Sequence, residues 1–316
     1  MVKHRSRRRN KRKGTRRPRR RHRGGAPKEG KCLFVSFPPD SGLGNLMFVY
    51  AAAIVVQLKI GTQMCLLPYT NKHSQNDYRS MLFIEGKPVE KEEVQSRIDG
   101  AKRLLGEMPL DSLQSHKDWE YTPASEDSQV DTIMGDAYFQ NYPGIVSAIP
   151  VIREDCAEIF SSKYPGFKDT IAPTCAFMHI RKGDYKDLLS LNNDYYTRGL
   201  GMLDAIEEIL VIHVVSDDIE WCKAQEWASS AKIKWFDDPD DIKDEMKTMY
   251  LMSLCQGGAC ISASTFSTWG AILGADQNPK STIIYPSSWI TGRPSSEFKF
   301  PERWKQIEGI QNVFTK

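Results

Sequence analysis

From Cys32 onward the chain alternates short apolar runs with longer amphipathic ones, and that rhythm leaves few folds open. Cys32–Phe37 is an apolar run broken only by Ser36, the signature of a strand buried on both faces of a parallel sheet. Asn45 to Ile60 reads as a mostly buried helix closed by Gly61. The second half repeats the pattern. Strands are expected at 174–180, 211–215, 233–236, 259–262 and 282–285, and helices at 194–210, 219–229, 241–254 and 266–273. Strands separated by helices imply a parallel sheet covered on both faces. Residues 68–130 are polar and mixed; part of 82–105 is expected to be helical and 112–129 loop. A domain boundary is expected between 150 and 172, where Tyr164-Pro165-Gly166 and Ala172-Pro173 interrupt the pattern, and the segment after Pro301 is expected to pack back as a helix.

Charge is divided unevenly along the 316 residues. Fifteen of the 43 Lys and Arg residues stand in residues 1–30 beside a single acid, Glu29, which leaves 28 basic and 39 acidic residues, net −11, for the rest. The basic arm has no apolar face to bury and is expected to be disordered. Its field would attract polyanions through residues 3–23, or serve as an address. The longest apolar run, Leu46–Val56, falls short of the roughly 20 residues of a membrane span, and no signal peptide is evident. Seven scattered cysteines without a C-x-x-C pair, and no N-x-Ser/Thr acceptor, fit reduced thiols in a cytosolic protein.

In open α/β sheets ligands bind at the carboxyl ends of strands, which singles out four loops. The first holds Gly42-Leu43-Gly44-Asn45; the others are His179 to Tyr185, Ser216-Asp217-Asp218 and Ser262 to Phe266. Glycines for close backbone approach, hydroxyls at helix starts and the pair Arg181-Lys182 suit a nucleotide diphosphate. Gly42-x-Gly44 lacks the third glycine of a dinucleotide fingerprint, Met47 standing there, so a nicotinamide oxidoreductase is disfavoured. Each residue also has a plainer role. Asn45 could cap its helix, His179 could be a satisfied core residue, and Arg181 could pair with Asp184 or Asp217. Asp184 could be a turn residue beside Gly183, Asp217 could cap the next helix, and Ser264-Thr265 could cap theirs. Asp237 to Asp241 contains an Asp-x-Asp suited to Mg²⁺ but reads better as a loop and helix cap.

Together these loops resemble the α-1,2-fucosyltransferases of glycosyltransferase family 11. Gly42 to Ala51 is similar to that family's G-x-L-G-N-Q-M-F-Q-Y-A segment, and His179 to Tyr185 to its H-x-R-R-G-D-Y, with Lys182 in place of the second arginine. Ser216 to Cys222, Tyr250 to Cys255, Ile261 to Ala271 and Pro286 to Trp289 match later blocks in order, with Leu46, Ala263 and Thr268 as further departures. The resemblance implies an α/β protein of two Rossmann-like domains in the B-type glycosyltransferase architecture. Its parts would be a basic arm over 1–30, an acceptor-side domain over 31–160 and a donor domain over 161–316. It implies inverting transfer of L-fucose from GDP-fucose to a glycan hydroxyl, in α-1,2 linkage to galactose or a similar sugar, with no cofactor and no metal. Arg181 and Lys182 would then meet the diphosphate, with His179, Gly44, Ser216 and Asp217 nearby. Ser264, Thr265 and Phe266 would hold phosphate and nucleoside, Asn45 would reach the donor–acceptor junction, and Asp184 would be the base. Eukaryotic members carry a Golgi anchor; without one, a cytoplasmic enzyme of bacterial or viral type is expected. The competing reading is a nucleic-acid-associated α/β protein acting through its basic arm.

Overall fold

The computed structural model describes residues 30–70, 76–104, 119, 121–134, 137–172, 174–182, 191–289 and 294–308. The basic arm and Asp184 lie outside them. The chain builds two parallel sheets in succession. The first takes β1 (Cys32–Val35), β2 (Gln63–Leu66), β3 (Lys87–Pro88), β4 (Lys102–Arg103) and β5 (Thr132–Met134), in spatial order β3-β2-β1-β5-β4. Helices α1 (Leu43–Ile60), α2 (Tyr78–Met81) and α3 (Lys91–Asp99) connect them, and α4 (Tyr142–Ile145) and α5 (Ile149–Lys163) lead onward. Helix α5 ends at Lys163, immediately before Tyr164-Pro165-Gly166 in the stretch where the sequence suggests a boundary, and packs on helices of the second half.

The second sheet takes β6 (Cys175–Ile180), β7 (Val211–Ser216), β8 (Ile233–Trp235), β9 (Gly258–Cys260), β10 (Thr282–Pro286) and β11 (Lys305–Ile307), ordered β11-β10-β9-β6-β7-β8. Counted from β6 this is the doubly wound order 3-2-1-4-5-6, whose direction reverses between β6 and β9. Its helices are α6 (Asn193–Asp204), α7 (Ile219–Lys223), α8 (Pro239–Lys243), α9 (Glu245–Leu254) and α10 (Thr265–Leu273). Every ladder among the described residues is parallel. That explains the continuous apolar runs: all six residues of central β6 are buried.

Three expectations change. The segment after Pro301 forms the edge strand β11, not a helix, pairing Lys305, Gln306 and Ile307 with Ile284, Tyr285 and Pro286. The helix expected over 219–229 is a short α7 followed by a 3₁₀ turn, Glu226–Ser229. The helix expected over 241–254 is interrupted at Asp244, whose extended backbone (φ −87°, ψ 92°) separates α8 from α9.

Helix α1 positions the site. It is apolar nearly all round because it is sandwiched between the first sheet and α10, where the Phe48 and Trp269 rings meet edge to face at 5.3 Å. Its eighteen residues, mean hydropathy 1.7, exceed the eleven-residue run visible in the sequence and would suffice by length and composition to cross a membrane. Here 78% of that window is buried inside the fold. Gly61 ends it in the left-handed conformation (φ 68°), its N–H reaching the Gln57 carbonyl, a geometry that glycine adopts without strain. One apolar core runs from Leu33 and Val35 of the first sheet through α1 to Trp269 and Ile283 of the second half. All seven cysteines are buried and unbridged.

Candidate active site

The loops that follow β1, β6, β7 and β9 converge on one cleft of about 430 Å³ between the two sheets. Gly42 to Asn45 line one side; His179, Arg181, Ser216, Asp217 and Ser264 to Phe266 line the other. The cleft thus opens where the second sheet reverses direction, the position at which such sheets bind ligands.

Two helices begin at this cleft. Neither the cap residue of α1 (Gly42) nor that of α10 (Ser264) covers its helix with a side-chain hydrogen bond, and neither first turn contains an acid. Uncapped first-turn N–H groups and the positive end of the helix dipole favour an anion. The helices touch at Gly44. A Cβ there would stand 2.3 Å from the Phe266 amide nitrogen and 2.5 Å from the Thr265 carbonyl carbon. Both are backbone atoms, so a side chain could enter only by driving the two helix starts apart. Gly44→Ala should cost about 1–3 kcal/mol of stability, by overpacking. Urea unfolding checks this; an unchanged midpoint would show that the contact yields freely.

Asn45 joins the halves. Its Oδ1 accepts from Thr265 Oγ1 of α10 at 2.8 Å and from Gln140 Nε2, after β5, at 2.8 Å. With the oxygen so committed, the Nδ2 amide is what Asn45 offers to a ligand. The alternative of Asn45 capping α1 does not hold, since the cap position is Gly42.

His179 and Arg181 leave β6 on the same face, two residues apart. His179 is 5% exposed, with Nδ1 2.9 Å from Ser262 Oγ and its ring 5.7 Å from that of Phe266. Burial, and secondarily the Arg181 charge, lower its pKa from 6.5 to about 3, so the ring is neutral in the cleft. The unfolded chain takes up this proton below about pH 6.5 and the folded one does not until about pH 3. The stability His179 contributes is therefore complete above pH 6.5 and is lost as pH falls toward 3, by up to about 1.4 kcal/mol per unit. His179→Gln lacks this dependence, so its deficit against wild type should shrink between pH 7 and pH 5 in urea titrations. A constant deficit would contradict a neutral buried ring.

Arg181 Nε lies 3.3 Å from Asp217 Oδ2, with the Arg181 side chain 30% exposed. The ion-pair alternative is therefore real, and it orients the guanidinium at the cleft without taking it away. Asp217 Oδ1 also accepts from the Lys182 backbone N–H at 2.7 Å. Asp217 is not the cap of α7; that is Asp218, which accepts from the Trp221 N–H. Ser216, buried, accepts the Asp218 N–H on Oγ at 2.9 Å.

Lys182 does not join Arg181 in the cleft. One residue further along, it faces the other way, its ammonium 3.9 Å from the centroid of the Trp221 ring and 3.4 Å from the Leu191 carbonyl. Partial burial there holds its pKa below the usual lysine value. Of the two cations expected at the diphosphate, Arg181 lines the cleft and Lys182 does not. Ser264 heads α10 without capping it, and Thr265 spends its hydroxyl on Asn45. In the Asp-rich loop, Asp238 caps α8 through the N–H groups of Asp240 and Asp241.

The sequence did not point to Val215, Ile242, Lys243, Glu245 and Thr248, which complete the lining. The break at Asp244 brings four of them in. Asp244 caps α9, accepting from the N–H groups of Met246 (3.1 Å) and Lys247 (3.2 Å), and so starts a new helix at the cleft. A capping aspartate inside the 241–254 run was the available signal.

Two parallel sheets with a cleft at their strand ends are the α/β architecture of two Rossmann-like halves that the sequence leads one to expect. Residues 171–308 match the model of glycosyl transferase family 11. It is 28% identical over 288 residues to an alpha-1,2-colitosyltransferase of Escherichia coli, covering 84% of this chain and 96% of that enzyme. It is also 28% identical over 127 residues to the O-antigen biosynthesis glycosyltransferase WbnK of Escherichia coli, covering 38% of this chain and 40% of that protein. Among solved structures, fucosyltransferase NodZ from Bradyrhizobium superposes with a TM-score of 0.49 at 11% identity, over 77% of this chain and 94% of that one.

Proposed function

We propose that this protein transfers L-fucose from GDP-fucose to a hydroxyl of an acceptor glycan with inversion at the anomeric carbon, forming an α-1,2 linkage to galactose or a similar sugar. The observation that carries the reading is the convergence of two uncapped helix starts and the Asp217-oriented Arg181 on a single cleft. Three fixed positive ends around about 430 Å³ suit a diphosphate attached to a nucleoside and a sugar. The α-1,2 linkage follows the name of the colitosyltransferase relative.

In this mechanism the acceptor oxygen attacks the fucosyl carbon as the bond to GDP breaks. Charge growing on the leaving diphosphate is met by Arg181 and the first turn of α10, which need not reorganise during the reaction. The Asn45 amide, fixed by Thr265 and Gln140, stands at the junction of donor and acceptor. A neutral His179, its Nδ1 held by Ser262, presents Nε2 toward the donor. Asp184, three residues beyond Arg181, is the proposed base; it lies outside the described residues. The leaving charge is assigned to these protein donors with no metal or cofactor.

The test is incubation of the purified protein with GDP-fucose and a panel of galactosides and other sugars, with the product linkage read by NMR. Transfer to a galactoside 2-hydroxyl is the expected result. Absence of both transfer and calorimetric GDP binding would overturn the reading.

A further inference from the structure

The lining of the cleft is chemically mixed. The helix starts, Arg181 and Lys243 are suited to anions, whereas a carboxylate, Glu245, also stands in the lining, together with the aliphatic side chains of Val215 and Ile242. A carboxylate beside a diphosphate would repel it, so Glu245 must meet a part of the ligand that donates hydrogen bonds. The carboxylate is also pre-positioned. The Tyr78 hydroxyl, reaching from α2 of the first half, donates to Glu245 Oε2. Tyr78 is itself fully buried, and its backbone N–H is held by the Tyr69 hydroxyl at 3.0 Å. Among the described residues the hydrogen-bond partner of the Glu245 carboxylate is Tyr78, which engages Oε2 and leaves Oε1 for the ligand.

We propose that Glu245 is the residue that selects the nucleobase, accepting the adjacent N1–H and 2-amino N–H of guanine. This rests on the donor-site reading above. Of the common bases only guanine places two donors side by side on one edge, a match for a carboxylate whose Oε1 is open and whose Oε2 can accept a second hydrogen bond beside that of Tyr78. Uracil offers one N–H between two carbonyls that repel a carboxylate, and adenine presents a bare acceptor at N1. Val215 and Ile242 give the flat ring apolar neighbours, as nucleoside pockets require. Among the described residues Asp217 is the other carboxylate in the lining, and it is already engaged by Arg181 and the Lys182 N–H, so Glu245 is the one of the two left for base recognition.

Calorimetric titration of the whole protein with GDP, inosine diphosphate and ADP tests the assignment, with thermal unfolding as the check on folding. Wild type should bind GDP most tightly, inosine diphosphate (which keeps N1–H and lacks the 2-amino group) less tightly, and ADP least. Glu245→Gln should weaken GDP about 10- to 100-fold, the scale of hydrogen bonds to a charged group, while leaving ADP unchanged. Tyr78→Phe, which frees the carboxylate without removing it, should reduce the GDP-to-ADP preference by less. GDP binding by Glu245→Gln within threefold of wild type, or an equal loss for all three nucleotides, would overturn the proposal. If the Gln variant does not fold, an unchanged GDP-to-ADP ratio in Tyr78→Phe would do so. Wild type that binds none of the three would instead remove the donor-site reading on which the proposal rests.

Discussion

Arg181→Ala should transfer fucose 10²- to 10³-fold more slowly than wild type while unfolding at nearly the same temperature. The two halves of that result have separate causes. Arg181 stands where the second sheet reverses direction, on the same face of β6 as His179, with its Nε edge held 3.3 Å from Asp217. A guanidinium fixed in that way needs no rearrangement when charge develops on the leaving diphosphate, and removal of one such donor costs two to three orders of magnitude. Its stabilising role is small by comparison. A partly exposed ion pair contributes about 0–1 kcal/mol, so the fold should survive its loss. Arg181→Lys keeps the charge but not the planar fork and should fall between. Asp217→Asn keeps the guanidinium but loosens its orientation, and should lower kcat more than it raises KM for the donor. Initial rates with GDP-fucose, paired with thermal unfolding, measure both halves. An Arg181→Ala enzyme within threefold of the wild-type rate would place the diphosphate elsewhere.

Much of this site was legible because each part was written locally. Glycines and hydroxyls at the ends of apolar runs mark strand ends and helix starts, and parallel topology brings strand ends together without further instruction. Gly44 illustrates the limit. The sequence marks it as a position of close approach, but only the fold shows that its neighbour is the backbone of Thr265 and Phe266. Lys182 was misplaced for a reason available in advance. Residues along a strand alternate faces, so a lysine next to Arg181 should point away from whatever Arg181 meets. The break at Asp244 was hidden by the good helical pattern on both sides, which a capping aspartate splits without changing its period. The polar edge strands were hidden differently. β3, β4 and β11 are two or three residues long and largely exposed, with no apolar alternation to reveal them. They form because a parallel neighbour already presents its free backbone groups. That information belongs to β2, β5 and β10, not to the edge segments themselves.

Asp276→Ala should destabilise the fold by about 3–5 kcal/mol. Asp276 follows α10 and its side chain is 3% exposed. Its Oδ2 accepts from Tyr142 Oη of α4 at 2.9 Å and Arg153 Nη2 of α5 at 2.8 Å; its Oδ1 accepts from Trp304 Nε1 at 2.9 Å and from Arg303. One carboxylate thus ties to α10 both the connection leaving the first sheet and the segment that carries β11. Alanine would leave two guanidinium groups, an indole N–H and a phenol without their shared acceptor, and truncating one member of a buried charged cluster costs about that much. Asp276→Asn keeps the volume and one acceptor oxygen, but turns an NH₂ group toward donors, so it should lose less than alanine and more than a surface substitution. Urea unfolding gives the comparison, and a double-mutant cycle with Arg153→Ala isolates the pair, whose coupling should exceed 1 kcal/mol. An Asp276→Ala loss below 1 kcal/mol would mean that water replaces the carboxylate and that the cluster is incidental. The consequence reaches the cleft, because the helix anchored at this end is the one whose other end lines it. Asp276→Ala protein that remains folded at low temperature should therefore bind GDP more weakly, although Asp276 does not line the cleft.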